Sequence, residues 1–171
     1  MATYSITVIV SSPSQGGSSR LLASKFMEGA EAAGHSISMF DAALEPVAPY
    51  QGAAKEPFDA FALVKSRLIN SDVIVFATPI YYFDMNAQMK LVIDRLHGID
   101  KDDLFGKRIV LITTSHSGIE AVEPCIAVFD KMCEWFTWKK IGSLHATGLS
   151  TRADCEATDY PQQAYDLGAN L

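Results

Sequence analysis

Asp72-Val-Ile-Val-Phe-Ala-Thr-Pro-Ile-Tyr-Tyr-Phe-Asp-Met-Asn86 is the stretch whose reading decides the fold. Val73 to Ala77 is a short apolar run rich in β-branched residues, the pattern of a strand covered on both faces. Thr78-Pro79 predicts its end, because proline has no N–H to give to a neighbouring strand. Ile80, Tyr81, Tyr82 and Phe83 follow at the carboxyl end. In an open α/β sheet that edge binds ligands, and an aromatic loop there suits a flat, conjugated ring.

Working outward, strand and helix patterns alternate. Tyr4 to Val10 reads as the first strand. A helix carrying Leu22, Phe26, Ala30 and Ala33 stops at Gly34. His35 to Phe40 alternates apolar and polar as a second, less covered strand. Residues 41 to 57, with Pro46, Pro49, Gly52 and Pro57, read as a surface loop that could act as a lid. Phe58 to Asn70 is predicted helical, with Pro57 in the favoured first-turn position. After the opening stretch, Met89, Val92, Ile93 and Leu96 mark a helix that ends at His97-Gly98. Arg108 to Thr114 is the fourth strand. Val122, Cys125, Ile126, Phe129, Cys133 and Phe136 mark the fourth helix, Trp138 to Ala146 a fifth strand, and residues 158 to 171 a last helix. Five such alternations predict an α/β domain with a parallel sheet and right-handed crossovers, one domain over residues 1–171.

The totals bound the function. The 171 residues are 49% hydrophobic and 20% charged, a globular composition. No apolar run approaches the ~20 residues of a membrane span. Met1-Ala-Thr-Tyr-Ser-Ile has no basic segment before an apolar one, so the expected location is cytoplasmic. A net charge of −6 with scattered Lys and Arg offers no stripe for a phosphate backbone, which excludes nucleic acid as the expected partner. Cys125, Cys133 and Cys155 have no CxxC spacing and read as buried thiols rather than metal ligands or a disulfide framework.

Motifs exclude several relatives. No GxGxxG follows the first strand and no GxxxxGK[ST] occurs. A phospho-acceptor receiver would need acidic residues where Ser11-Ser12 and Thr78-Pro79 stand. The first strand instead opens into Ser11-Ser-Pro-Ser-Gln-Gly-Gly-Ser-Ser19, whose small residues let amides at a helix start approach one phosphate without a metal. The loop after the fourth strand, Thr113-Thr-Ser-His-Ser-Gly118, is small and polar. A ligand matching all three loops has a terminal phosphate, a flat body and a polar rim, the shape of FMN.

The Ser11–Ser19 loop, Thr78-Pro-Ile-Tyr-Tyr-Phe83 and the run from Lys90 to Leu96, with its Asp94-Arg95 pair, resemble the flavodoxin-like NAD(P)H-dependent FMN reductase superfamily over nearly the whole chain. The nearest resemblance is to its multimeric flavodoxin, quinone reductase and iron–sulfur flavoprotein branch. It implies helices on both faces of a five-stranded parallel sheet of order 2-1-3-4-5, with non-covalent FMN. Ser12, Ser14, Ser18 and Ser19 would hold the phosphate; Pro79, Ile80, Tyr81, Tyr82 and Phe83 would lie along the isoalloxazine; Thr114, Ser115 and Gly118 would meet its pyrimidine edge. A homodimer or homotetramer is implied as well. The chain departs from the family twice. Ser14 stands where that loop often has arginine, with Arg20 in the following turn as the candidate cation. Residues 41 to 57 also lack the cysteines of an iron–sulfur cluster.

The implied activity is an FMN-dependent NAD(P)H oxidoreductase passing electrons to a quinone or similar small acceptor, the flavin doing the redox chemistry. No protein acid, base or nucleophile is required. His116 is the one candidate catalytic side chain, since histidine titrates near neutral pH. Asp94 and Arg95 read as a helix-surface or subunit contact, and His35, His97 and His145 as structural. The alternatives are a flavodoxin-type electron carrier and a non-enzymatic binding protein of the same fold.

Overall fold

The structure is a computed structural model that describes residues 3–52, 55 and 57–171. One sheet organises it. Ser5–Val10 (β1), Ser36–Asp41 (β2), Val73–Tyr81 (β3), Arg108–Thr114 (β5) and Lys139–Ala146 (β6) run parallel in the order β2-β1-β3-β5-β6. Leaving aside a short hairpin strand, this is the flavodoxin-like order 2-1-3-4-5. The hairpin strand, Asp84–Met85 (β4), pairs antiparallel with the end of β3 through Ile80↔Met85 and Tyr81↔Asp84.

That hairpin adds an antiparallel strand, among the described residues, to the five parallel strands expected, and it corrects one expectation: β3 does not stop at Thr78-Pro79 but runs on to Tyr81. Alternate residues of a strand turn their amides to opposite neighbours. Ala77 accepts from the Ser11 N–H at 3.2 Å, so Pro79, two residues on, faces the same side, where β1 has already ended opposite Ala77. Its missing N–H therefore breaks no ladder bond.

Alternation along the strands splits the core in two. On one face Ile6, Val8, Val10, Val73, Val75, Ala77 and Ile112 pack beneath Ser18–Ala32 (α1) and Tyr160–Ala169 (α7), with Arg152–Glu156 (α6) beside them. On the other, Ile9, Ile74, Phe76, Ile109 and Leu111 pack beneath Phe61–Asn70 (α2), Ala87–Arg95 (α3), Lys101–Leu104 (α4) and Glu123–Phe136 (α5). α1 and α7 meet through glycines. A Cβ on Gly29 would lie 2.0 Å from the Tyr165 carbonyl oxygen, and one on Gly168 would lie 2.1 Å from that of Phe26. No side chain fits at either point.

α2 begins at Phe61, three residues later than its periodicity suggested. Asp59 accepts from the Phe61 N–H at 3.0 Å and thereby starts the helix, while Phe58 stays fully exposed. Asp59 also accepts from the Ala48 N–H at 2.7 Å and pairs with Arg95 at 2.8 Å. Arg95 is thus buried beneath Ala48, whose carbonyl it meets at 3.2 Å, and Asp59, with its guanidinium 4.5 Å from the centre of the Phe61 ring. Only Asp94 is a helix-surface residue, paired with Lys90 at 2.5 Å. The surface reading of Arg95 fails because periodicity alone does not show that a loop crosses that face. Residues 53, 54 and 56 of the presumed lid lie outside the described residues.

Among the described residues, no helix is long and apolar enough to cross a membrane. Cys125 and Cys155 are buried and Cys133 half-buried, all as free thiols. Burial is the main cause that pushes the Cys125 thiol up to about 12.

Candidate functional site

The three loops read from the sequence meet at the carboxyl edge of the sheet, around a cleft of about 620 Å³. Its first wall is the loop after β1. Gly17 closes it: a Cβ there would come 3.0 Å from Ser12 Oγ and 3.1 Å from the Ser14 carbonyl oxygen. Gly17 precedes α1 in an extended conformation, and no side chain caps that helix. Its first-turn N–H groups have no intrahelical partner and are available to an anion in the cleft.

Asn86 ties this wall to the next. Its amide nitrogen donates to the Ser11 carbonyl at 2.6 Å, and its amide oxygen accepts from the Thr78 hydroxyl at 3.2 Å and from the Met89 N–H at 3.3 Å. One buried side chain thus joins the end of β1, the end of β3 and the start of α3. Beyond it, Pro79, Ile80 and Tyr81 line the cleft. The third wall is Thr114, Ser115 and His116, held to the first by a 2.7 Å hydrogen bond between the Ser19 and Thr114 hydroxyls. That pair has two protons and one mutual bond, so one O–H remains for a ligand.

Ser12, Ser14, Ser18, Ser19, Pro79, Ile80, Tyr81, Thr114, Ser115 and His116 therefore converge as expected. Tyr82, Phe83 and Gly118 do not line the cleft. Tyr82 and Phe83 are the two central residues of the β3–β4 turn, at φ 49° and 72°, and their rings stand in solvent. Gly118 lies behind the third loop, where it accepts from the Ala121 N–H. Arg20 is committed elsewhere, 2.5 Å from the Asp41 carboxylate.

Sequence reasoning missed a fourth wall, Leu149 to Arg152 after β6. Its signal was present: Thr151-Arg-Ala-Asp154 is a capping box, and both reciprocal bonds form. The Thr151 N–H, the Thr151 side chain and the Ser150 N–H hold the Asp154 carboxyl below its ordinary range. Ser150 hydrogen-bonds His116 Nδ1 at 2.8 Å, and Ser18 Oγ donates to the Thr151 carbonyl at 3.1 Å. This wall therefore touches both the first and the third loops. A second, larger groove of about 1080 Å³ lies between the carboxyl-terminal halves of α3 and α5, at the opposite end of the sheet.

With this geometry in place, the model of the family described as NADPH-dependent FMN reductase matches residues 4–146. The chain belongs to that family. A curated relative, YwqN of Bacillus subtilis, is described as an NAD(P)H-dependent FMN-containing oxidoreductase; it is 30% identical over 101 residues, 58% of this chain. The match spans only 56% of YwqN. Among solved structures, an NAD(P)H:quinone oxidoreductase from Methanothermobacter marburgensis superposes with a TM-score of 0.75 at 17% identity, covering 99% of this chain and 98% of its own. An FMN-dependent NADH-azoreductase from Bacillus anthracis, in complex with FMN, gives 0.72 at 11% identity, covering 97% and 99%. At such identities these two establish the fold.

The cleft of this FMN reductase family member fits the family cofactor on its own chemistry. Uncapped amides and serine hydroxyls supply donors for a phosphate, Ile80 and Tyr81 supply an apolar wall for a flat ring, and Thr114 and Ser115 supply polar groups for its rim. The cleft's size lies within the range of small-molecule and cofactor sites.

Proposed function

We propose that this protein binds FMN in the four-walled cleft and works as an NAD(P)H-dependent oxidoreductase that delivers electrons to a quinone or a similar flat acceptor. The observation that carries this reading is the junction of the uncapped α1 start and the β3–β4 hairpin around one cleft, tied together by Asn86. Bound FMN would supply hydride uptake and electron delivery. The chain's part is placement: Ser12, Ser14, Ser18 and Ser19 hold the phosphate end, Pro79, Ile80 and Tyr81 wall the ring, and Thr114 and Ser115 donate to its polar edge. Tyr82 and Phe83, exposed at the hairpin tip, stand where an incoming acceptor would meet them. His116, held by Ser150, is a candidate donor to that acceptor rather than a required acid. The structural relatives named for quinone and azo reduction support a flat conjugated acceptor without choosing between them.

The visible absorption spectrum of purified protein, with and without added FMN, tests the cofactor. Failure to bind FMN at micromolar concentration sinks the reading. Anaerobic stopped-flow mixing with NADH and NADPH then tests turnover, and reduction no faster than that of free FMN would leave an electron carrier instead. A panel of quinone, azo and flavone acceptors assigns the electron sink. The same proposal includes a homodimer or homotetramer, supported by Val128 and Trp135 exposed along the second groove. Sedimentation as a monomer at micromolar concentration would remove that part.

A further inference from the structure

The flavin reading leaves the phosphate end of the cleft short of formal charge. The α1 terminus contributes only a partial charge. Three of the four serine hydroxyls are already engaged: Ser12 Oγ donates to the Ser14 carbonyl at 3.4 Å, Ser18 Oγ donates to the Thr151 carbonyl at 3.1 Å, and Ser19 Oγ shares its bond with Thr114. Arg20 is held against Asp41 with both side chains largely buried, so moving it to the cleft would strand a buried carboxylate. Position 14 holds serine, so the Ser11–Ser19 loop carries no cation of its own.

Arg152 is differently placed. It is the first residue of α6, it lines the cleft together with Ser12, Ser14 and Ser18, and its neighbour Thr151 is the residue that Ser18 grips. Its side chain is 46% exposed, so desolvation does not oppose its movement. Nε donates to Glu156 at 2.7 Å. The other four guanidinium N–H groups lie on the two Nη atoms, in the fork geometry that matches phosphate oxygens.

We infer that Arg152 is the charged ligand of the flavin phosphate in this protein, supplied from the segment after β6 to a cleft whose Ser11–Ser19 loop carries no cation. Glu156 is its resting partner and keeps the guanidinium at the rim of the cleft. Phosphate selectivity is thereby assigned to a segment beyond the residues that match the family model, 4–146. This inference rests on the FMN reading above.

The test is the affinity of apo-protein for FMN and for riboflavin, which lacks the phosphate, by fluorescence quenching at low and moderate salt. Arg152→Ala should raise the Kd for FMN by roughly tenfold, the loss of one hydrogen bond to a charged group in an exposed setting. It should leave riboflavin binding unchanged and flatten the salt dependence of FMN binding. Arg152→Lys should recover part of the loss, and Glu156→Gln should bind FMN at least as well as the wild type. Equal effects of Arg152→Ala on both flavins, or none on either, overturn the inference. So does an FMN loss in Glu156→Gln matching that of Arg152→Ala, which would make the ion pair a brace for α6. A wild-type protein that prefers FMN no more than riboflavin overturns it while sparing the cofactor reading; one that binds neither overturns both.

Discussion

Replacing Asn86 with alanine would strand a buried carbonyl at Ser11 and remove the cap of α3, while the Thr78 hydroxyl keeps its bonds to the Pro79 carbonyl and the residue-86 N–H. The expected cost is about 2 kcal/mol, from the lost cap and the unsatisfied carbonyl together; urea unfolding measures it, and a loss below about 1 kcal/mol would show that the network is slack. Asn86 was passed over in the sequence, although an asparagine just before an apolar-periodic helix is a cap signal; its reach to Ser11 carries no such signal, because 75 residues separate the two. Asp59 gives a pH-dependent case. Burial pushes its carboxyl up, but donation from Ala48, Phe61 and Arg95 outweighs this and the net shift from 3.8 is downward. A lowered folded value means that the carboxylate's contribution to stability is complete above about 3.8 and is lost as pH falls through that lower value. Arg95→Ala, which leaves Asp59 without its charged partner, should cost about 3 kcal/mol at neutral pH. Asp59→Asn should flatten the acid limb of the stability profile. An unchanged acid limb in Asp59→Asn would assign acid unfolding to other carboxylates.

At the scale of elements, the β3–β4 hairpin departs furthest from what its sequence suggests. A two-residue turn with both φ values positive favours Asn-Gly, yet Tyr82 and Phe83 occupy it. Each left-handed non-glycine residue costs roughly 1–2 kcal/mol, and such strain concentrates at functional positions. Tyr82→Asn combined with Phe83→Gly should therefore raise stability by about 2 kcal/mol in urea unfolding. Under the proposed activity it should also raise the KM for a flat acceptor while leaving flavin reduction by NAD(P)H unchanged. A less stable double variant would mean that the rings pack rather than wait. The aromatic loop was visible in the sequence and its location at the sheet edge followed. Its direction did not, since the turn leaves Tyr81 lining the cleft and the next two rings exposed at the hairpin tip.

At the scale of the molecule, five alternations of strand and helix carried the fold, because burial on both faces imposes near-continuous apolar strands. The small elements escaped: β4, α4 and α6 are two, four and five residues long, too short for any periodicity to register. The α1–α7 contact also escaped, since nothing local marks Gly29 and Gly168 as a crossing. Gly168→Ala would drive a methyl into the Phe26 carbonyl, 2.1 Å away. Separating the helices should cost about 3 kcal/mol, read as a lowered urea midpoint. An unchanged midpoint would show that the two helices slide apart freely.

That crossing also sets a timetable for synthesis. α1 ends at Ala32 and its partner α7 begins at Tyr160. At ~5–20 residues per second, the nascent chain waits on the order of ten seconds between making the two. Throughout that interval the glycine face of α1 has no helix against it, and the fourth wall of the cleft does not yet exist. The cleft is therefore among the last parts of this protein to close, even though its first wall begins at residue 11.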